Sequence, residues 1–163
     1  MQNEIKNKKR IILYTTIIFI AIFLLLYLVF LKNIKEIKTI EVSNEQIIDL
    51  SNFYYDIKKN ESENDNQIII EGFIYDKNSP IDTSAIKLLL ENNNEFYEIP
   101  TYVKYIENNM VNNINYCWSG FVSYIDKNRI NIDINYEIYI LTVFNDETKI
   151  VKTNKYIKDL INK

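Results

Sequence analysis

The sequence has no histidine, one cysteine, two glycines and two prolines. Without His there is no Ser-His-Asp triad, no Cys-His pair and no His-ligated zinc. One Cys cannot close an intramolecular disulfide or supply a multi-Cys metal or iron–sulfur site. What is abundant is Ile, about a fifth of the 163 residues, and Asn, about a seventh, both far above ordinary usage. Ile, Asn, Lys and Tyr share AT-rich codons, so a biased genome accounts for the excess. Apolar residues make up 47% and charged residues 25%, which is not a disordered composition. The length fits one folded domain, or one domain plus an accessory segment.

The longest uninterrupted feature is Ile11 to Leu31, IILYTTIIFIAIFLLLYLVFL, without charge, Gly or Pro. As a helix it spans about 31 Å, matching a hydrocarbon core of ~30 Å. Tyr14 and Tyr27 lie towards its ends, where an aromatic belt belongs. A signal peptide has a shorter apolar region and a small-x-small cleavage site, whereas this run ends Leu-Val-Phe-Leu-Lys-Asn. It reads as an uncleaved anchor.

Lys6, Lys8, Lys9 and Arg10 abut the run on its amino side, against Lys32, Lys35 and Lys38 interleaved with Glu36 and Glu41 on the other. The positive-inside rule then places residues 1–10 in the cytoplasm and residues 32–163 outside. The tail carries net charge +3 and residues 32–163 carry −6. An acidic outer part argues against nucleic acid as a partner. The basic tail suits anionic headgroups of the bilayer, the first partner expected.

Residues 32–52 read as a stalk. Within it Ser43-Asn44-Glu45-Gln46 has capping-box spacing, allowing a short helix over about 44–50, while Ile37, Ile40 and Val42 equally suit a short strand. From Phe53 the pattern is one of strands: Gln67–Asp76 with Ile68, Ile70, Gly72 and Ile74 in one row, Ala85–Glu91, Glu95–Ile99, Tyr116–Ile125, Tyr136–Phe144 and Glu147–Thr153. The two Gly fall inside strands and Asn makes the turns, as at Asn92-Asn93-Asn94. Pro100 limits the strand before it. Six or seven short strands with one apolar face each predict an all-β fold. The expected architecture is an antiparallel β-sandwich, Ig-like, over 53–157, with a tail at 158–163 and a single transmembrane helix in front.

Three stretches of this region carry a resemblance: Ile68-x-Ile70-x-Gly72-Phe73-x-Tyr75-Asp76, Tyr116-Cys117-Trp118-Ser119-Gly120-Phe121 with Ile125-Asp126, and Ile132-x-x-Asn135-Tyr136-x-Ile138. Together, over about residues 53–157, they resemble small β-sandwich modules attached to envelope proteins and envelope glycosyltransferases of Gram-positive-type bacteria. Phe73 stands where those modules have Trp. Tyr102-Val103-Lys104-Tyr105-Ile106-Glu107 stands where those modules often have an Arg-Pro-Asp or Arg-x-Asp-Val stretch, and only Lys104 keeps the basic character. Asn135 replaces a Gly, in keeping with the tolerance of Asn for left-handed backbone. The resemblance implies an extracytoplasmic accessory module.

Catalytic motifs are thin. Ser84-Ala85-Ile86-Lys87 has Ser-x-x-Lys spacing, but that chemistry needs one helical turn, and a β pattern sends the two side chains to opposite faces. Cys117 has no His to activate it and reads as a buried thiol, with an intermolecular disulfide as the other option. Glu61, Glu63 and Asp65 share a loop, and Asp56, Asp76, Asp82, Asp126 and Asp133 lie near strand ends. Paired carboxylates can hydrolyse glycosides when held ~5–9 Å apart. Glu63-Asn64-Asp65 lacks the turn Gly and bidentate Glu of a calcium loop, and no metal or cofactor is expected.

The aromatics Tyr54, Tyr55, Phe73, Tyr75, Phe96, Tyr97, Tyr102, Tyr105 and Trp118 suit strand packing or a binding platform. The candidate ligand residues are Trp118, Tyr102, Tyr105 and Lys104, beside the Asn-rich stretch 108–115. The reading that follows is a non-enzymatic, single-pass envelope protein that displays a binding or scaffolding module, with envelope glycan or another envelope protein as partner. A carboxylate-based glycan hydrolase and a membrane subunit of a secretion or division complex are the alternatives.

Overall fold

A computed structural model of the chain describes residues 2–34, 36–60, 62, 65–77, 85–107, 110–111, 114–144 and 147–161. It divides into two units, Met1–Glu36 and Ile37–Lys163.

The first unit is one helix, α1 (Gln2–Ile34). Its segment Ile12–Lys32 is 21 residues long with mean hydropathy 2.7, long and apolar enough to cross a membrane. None of that stretch is buried by protein, so its apolar side chains need another apolar medium. The hydroxyls of Thr15 and Thr16 donate back to the Ile12 carbonyl at 2.9 and 2.8 Å, which hides the two most polar groups of the run.

Apart from 3-10 turns and one short helix, the regular elements of the second unit are strands. In chain order these are β1 (Lys38–Ile40), β2 (Ile47–Ile48), β3 (Phe53–Asn60), β4 (Gln67–Asp76), β5 (Ala85–Asn92), β6 (Glu95–Ile99), β7 (Thr101–Lys104), β8 (Met110–Val111), β9 (Ile114–Asn115), β10 (Gly120–Asp126), β11 (Glu137–Phe144) and β12 (Glu147–Tyr156), closed by the short helix α2 (Ile157–Ile161). One sheet has the order β1-β6-β5-β11-β12-β2, a second β3-β4-β10-β7, and β8-β9 form a small ribbon. Every pairing is antiparallel except β2 with β12.

Period-two alternation decides what each strand buries. Ile68, Ile70 and Ile74 of β4 and Phe121 and Ile125 of β10 join Leu88 and Leu90 of β5 and Ile138 and Ile140 of β11 in one apolar cluster drawn from both sheets. Fully burying such a side chain contributes about 1.5–3 kcal/mol. Gly72 sits in the same row because the Phe121 ring occupies the space a side chain there would need: a Cβ would lie 2.8 Å from Phe121 Cζ and would also run into the Asp56 carbonyl.

The chain changes sheets at Pro100, between β6 and β7. There the Thr101 hydroxyl accepts the Leu88 amide at 3.0 Å, donates to the Ile99 carbonyl at 2.7 Å and lies 2.9 Å from the Ser123 hydroxyl. One residue thereby meets the backbone needs of two strands where the ladder stops. On the other side the Tyr55 hydroxyl of β3 donates to the Thr153 carbonyl of β12 at 2.6 Å. The β5–β6 turn uses Asn93 and Asn94 at φ 53° and 66°, the left-handed pair that a tight hairpin requires.

The short strand that Ile37, Ile40 and Val42 allow is present as β1, which with residues 47–48 supplies the edges of the six-stranded sheet, where Ile40, Val42 and Ile47 cover an apolar surface. Three other expectations are corrected in detail. The helix allowed over 44–50 is reduced to a 3-10 turn, Asn44–Gln46. Its capping signal survives as the Ser43 amide donating to Gln46 Oε1 at 3.3 Å, but pairing with β12 captures Ile47 and Ile48. The strand expected from Tyr116 begins only at Gly120, after a 3-10 turn over Cys117–Ser119. Among the described residues the non-Gly residues at positive φ are Asn93, Asn94 and Asn154, not Asn135. Asn154 sits where the β11–β12 register slips after Ile138, and the Thr153 hydroxyl there bonds to the Ile138 carbonyl at 2.6 Å.

Candidate functional site

The outward face of the four-stranded sheet is a grid set by register. Asp56, Phe73, Gly120 and Lys104 share one row, and Lys58, Glu71, Val122 and Tyr102 the next, with Tyr54 and Tyr75 at one end. The alternation of β3 puts Phe53, Tyr55 and Ile57 inward and leaves Tyr54 exposed. Tyr54 stacks on Tyr75 and Phe73, with centroids 5.6 and 6.3 Å apart, and Tyr75 stacks on the buried Tyr116 at 4.1 Å. Ring stacking adds about 0.5–1.5 kcal/mol per pair to area burial, so the exposed Tyr54 ring rests on a packed aromatic base in which Tyr75 and Tyr116 are buried.

The four candidate residues lie at the β7 edge of the same sheet. Trp118 is 55% exposed, Tyr105 51% and Tyr102 43%. Tyr105 and Trp118 meet edge to face at 5.1 Å, while Tyr102 turns to Tyr124 at 5.8 Å. In the 3-10 turn Cys117 and Ser119 are buried and Trp118 is displayed, the same alternation that β10 continues. The Ile106 amide donates to the Cys117 carbonyl at 2.7 Å. A hydrogen bond between the Tyr105 phenol and the Cys117 thiol raises the phenol pKa. Lys104 is engaged: its ammonium is 3.0 Å from Glu71 Oε2, and that bond holds the Glu71 carboxyl below its ordinary value.

The other candidates scatter. Asp56 faces Lys155 at 3.7 Å and Asp126 faces Arg129 at 3.6 Å. The Asp133 amide bonds to Asn131 Oδ1. Among the described residues no group of three His, Cys, Asp or Glu is placed to hold a metal. Lys87 pairs with Glu98 at 2.8 Å, and Ser84, Glu61, Glu63, Asp82 and Asn residues 108, 109, 112 and 113 lie outside the described residues. The Tyr54–Phe73–Tyr75 stack was absent from the short candidate set, although alternation along β3 and β4 carried the signal.

A second ionic cluster lies on the outward face of the six-stranded sheet. Lys152 Nζ is 2.9 Å from the buried Glu137 carboxylate and 5.6 Å from the Tyr139 ring centre, and the Tyr139 hydroxyl donates to Glu137 at 3.2 Å. The Glu137 bond, then the Tyr139 bond, raise the Lys152 pKa. Comparison with protein-family models, with curated proteins and with solved structures gives no match.

Proposed function

We propose that the chain is a single-pass membrane protein with its amino terminus in the cytoplasm. On this reading the strand-rich unit is an extracytoplasmic β-sandwich of Ig-like architecture, a non-enzymatic binding or scaffolding module of the cell envelope. The observation that carries the binding role is an asymmetry between two outward faces. Among the described residues outside α1, the exposed large apolar residues are Tyr54, Tyr102, Tyr105 and Trp118, with Val103 on the row of the buried Phe121, all on the four-stranded sheet or the segments flanking it. The outward apolar residues of the six-stranded sheet, Leu89, Phe96, Tyr139 and Ile150, are packed under Ile40, Val42 and Ile47. Aromatic groups left uncovered on one face alone mark a contact surface.

The resemblance to envelope modules makes envelope glycan the ligand class to test first, on the exposed Tyr54 ring, which is backed by the half-buried Phe73 and the buried Tyr75. The full chain in phosphatidylcholine nanodiscs should bind cell-wall polysaccharide fragments saturably, and Tyr54→Ala should weaken that binding several-fold with the fold intact. Background binding to all envelope glycans and envelope proteins alike would overturn the proposal. A carboxy-terminal reporter active only in the cytoplasm tests the orientation: activity would reverse it.

A further inference from the structure

The six- and four-stranded sheets end in four strands, β1, β2, β3 and β7, and the first three are poor templates for another chain. β1 and β2 are three and two residues long. β3 has eight residues, but Lys58 and Lys59 stand exposed on it. The Lys155 ammonium of β12 also lies 3.3 Å from its Ile57 carbonyl and 3.7 Å from Asp56. Short edges and edge charge are the devices that keep strands from adding to a sheet. β7 has neither charge nor cover on its free side. Its one charged residue, Lys104, reaches back across β10 to Glu71 of β4 at 3.0 Å. Among the described residues no strand pairs with the other side of β7.

Val103 registers the missing neighbour. It stands in the row of Ile57, Gly72 and Phe121, and Ile57 and Phe121 belong to the core cluster. Phe121 is fully buried, yet Val103 beside it is 38% exposed. Strand parity restricts what can close that gap. Residues directly opposite each other in a ladder share a face. Two copies of β7 related by a two-fold axis can therefore pair only with one residue opposite itself. Centring the pair on Lys104 sets two ammonium groups against each other. Centring it on Thr101 or Tyr102 brings Pro100, which has no amide to donate, into the ladder. Centring it on Val103 avoids both. Val103 then meets Val103 of the second copy, Tyr102 meets the stem of Lys104, and Thr101 meets Tyr105.

We infer that β7 is a self-association edge. Two copies of this chain pair antiparallel through Thr101–Lys104, centred on Val103, and join their four-stranded sheets into one continuous sheet. The pairing covers the exposed core-facing Val103 of both copies. It is short, and so a reversible contact, which gains from any confinement of the copies in one bilayer. It goes beyond the ligand-binding role and does not rest on it, because Tyr54 lies on β3 at the far edge of the sheet and stays open in the pair.

Cysteine placement tests the register, because Cys117 is the only native thiol and Cys117→Ala removes it. The full chain in that background is reconstituted into phosphatidylcholine vesicles, oxidised mildly and run on a non-reducing gel. Val103→Cys should give a covalent dimer, since opposite residues have Cα atoms ~4.5–5.5 Å apart, within disulfide reach. Tyr102→Cys should give several-fold less, because its counterpart lies two residues out of register at ~7–8 Å. Mixing Tyr102→Cys chains with Lys104→Cys chains should restore the dimer. In the native-cysteine chain, Val103→Lys should abolish the dimer that light scattering detects in micelles, with far-UV circular dichroism unchanged. If that variant unfolds, the cysteine series decides alone. Absence of cross-linking at position 103, or equal cross-linking at 102 and 103, overturns the inference. A dimer that survives Val103→Lys overturns it and moves the contact off β7. Cross-linking confined to 103 in a chain that binds no glycan supports the inference and removes the ligand proposal alone.

Discussion

Gly72→Ala tests whether the core packs as described. Adding one methyl group places Cβ 2.8 Å from Phe121 Cζ, 3.0 Å from Cε1, and into the Asp56 carbonyl of β3. The ring can tilt, but the carbonyl belongs to the β3–β4 ladder, where Asp56 stands opposite Phe73 and Ile57 opposite Gly72. Relief therefore requires either an off-rotamer Phe121 in a fully buried site or a shift of the edge strand. Overpacking of this kind costs about 1–3 kcal/mol. Replacing Gly would restrict the unfolded chain and return about 0.4–1 kcal/mol. The net expectation is a loss of about 1–2 kcal/mol, or a lowering of the urea midpoint by about 0.5–1.5 M at an m-value of ~1.5 kcal/mol/M. Trp118 emission of the full chain in micelles reports the transition, because α1 has no tryptophan. Adding Phe121→Leu to Gly72→Ala should recover only part of the loss, since the obstructing backbone remains. Gly72→Ala unfolding at the same or a higher urea concentration than the parent would refute the packing argument.

Other perturbations address separate parts of the fold. Lys152→Met should destabilise by about 1–3 kcal/mol, because it strands the buried Glu137 carboxylate; denaturant unfolding at pH 7 checks this, and Lys152→Arg should retain most of the stability. Asn94→Ala should cost about 1–2 kcal/mol at its φ of 66°, whereas Asn94→Gly should be close to neutral, as read from thermal midpoints. Burial holds the phenols of Tyr55, Tyr75, Tyr116, Tyr136 and Tyr139 above their ordinary value, so the unfolded chain releases those protons first. Their contribution is complete below pH ~10 and disappears as pH rises through the folded values. The last part of the tyrosinate absorbance, that of these five phenols, should appear together with the loss of far-UV circular dichroism, and ionisation of all thirteen tyrosines before loss of structure would contradict the burial.

The parts legible in the sequence are those where a local pattern and the tertiary environment agree. β4 and β6 match the expected strands residue for residue, since their alternation is uninterrupted and Asn turns or loops bound them. Ile47 and Ile48 were not legible, because a two-residue parallel pairing with β12 leaves no periodic trace and a capping signal beside it points to helix. β7 was hidden by Pro100, which ends one strand and, by lacking an amide, releases the chain to begin another in the second sheet. At the candidate site, Trp118 and Tyr105 were named from composition, but their contact depends on a 3-10 turn at Cys117–Ser119 that strand periodicity could not foretell. The ion pair that engages Lys104 joins residues 33 positions apart, beyond any local rule.

The closure of one face and the openness of the other follow from a single connection. β1 and β2 are opposite edges of a six-stranded sheet, five strand spacings or about 24 Å apart if the sheet were flat. The seven steps from Ile40 to Ile47 reach about 23–25 Å fully extended, and the 3-10 turn at Asn44–Gln46 shortens that path because its rise is only ~2.0 Å per residue. The segment therefore has no length for a detour around the sheet. It crosses the outward face directly, with sheet twist drawing the edges together, and Ile40, Val42 and Ile47 land on Leu89, Phe96, Tyr139 and Ile150. A strap without slack cannot move aside while both edge strands stay paired. A partner on that side would have to break β1 or β2 before reaching Leu89, Phe96, Tyr139 or Ile150, whereas Tyr54 and Tyr102 on the four-stranded sheet are open to contact without any rearrangement.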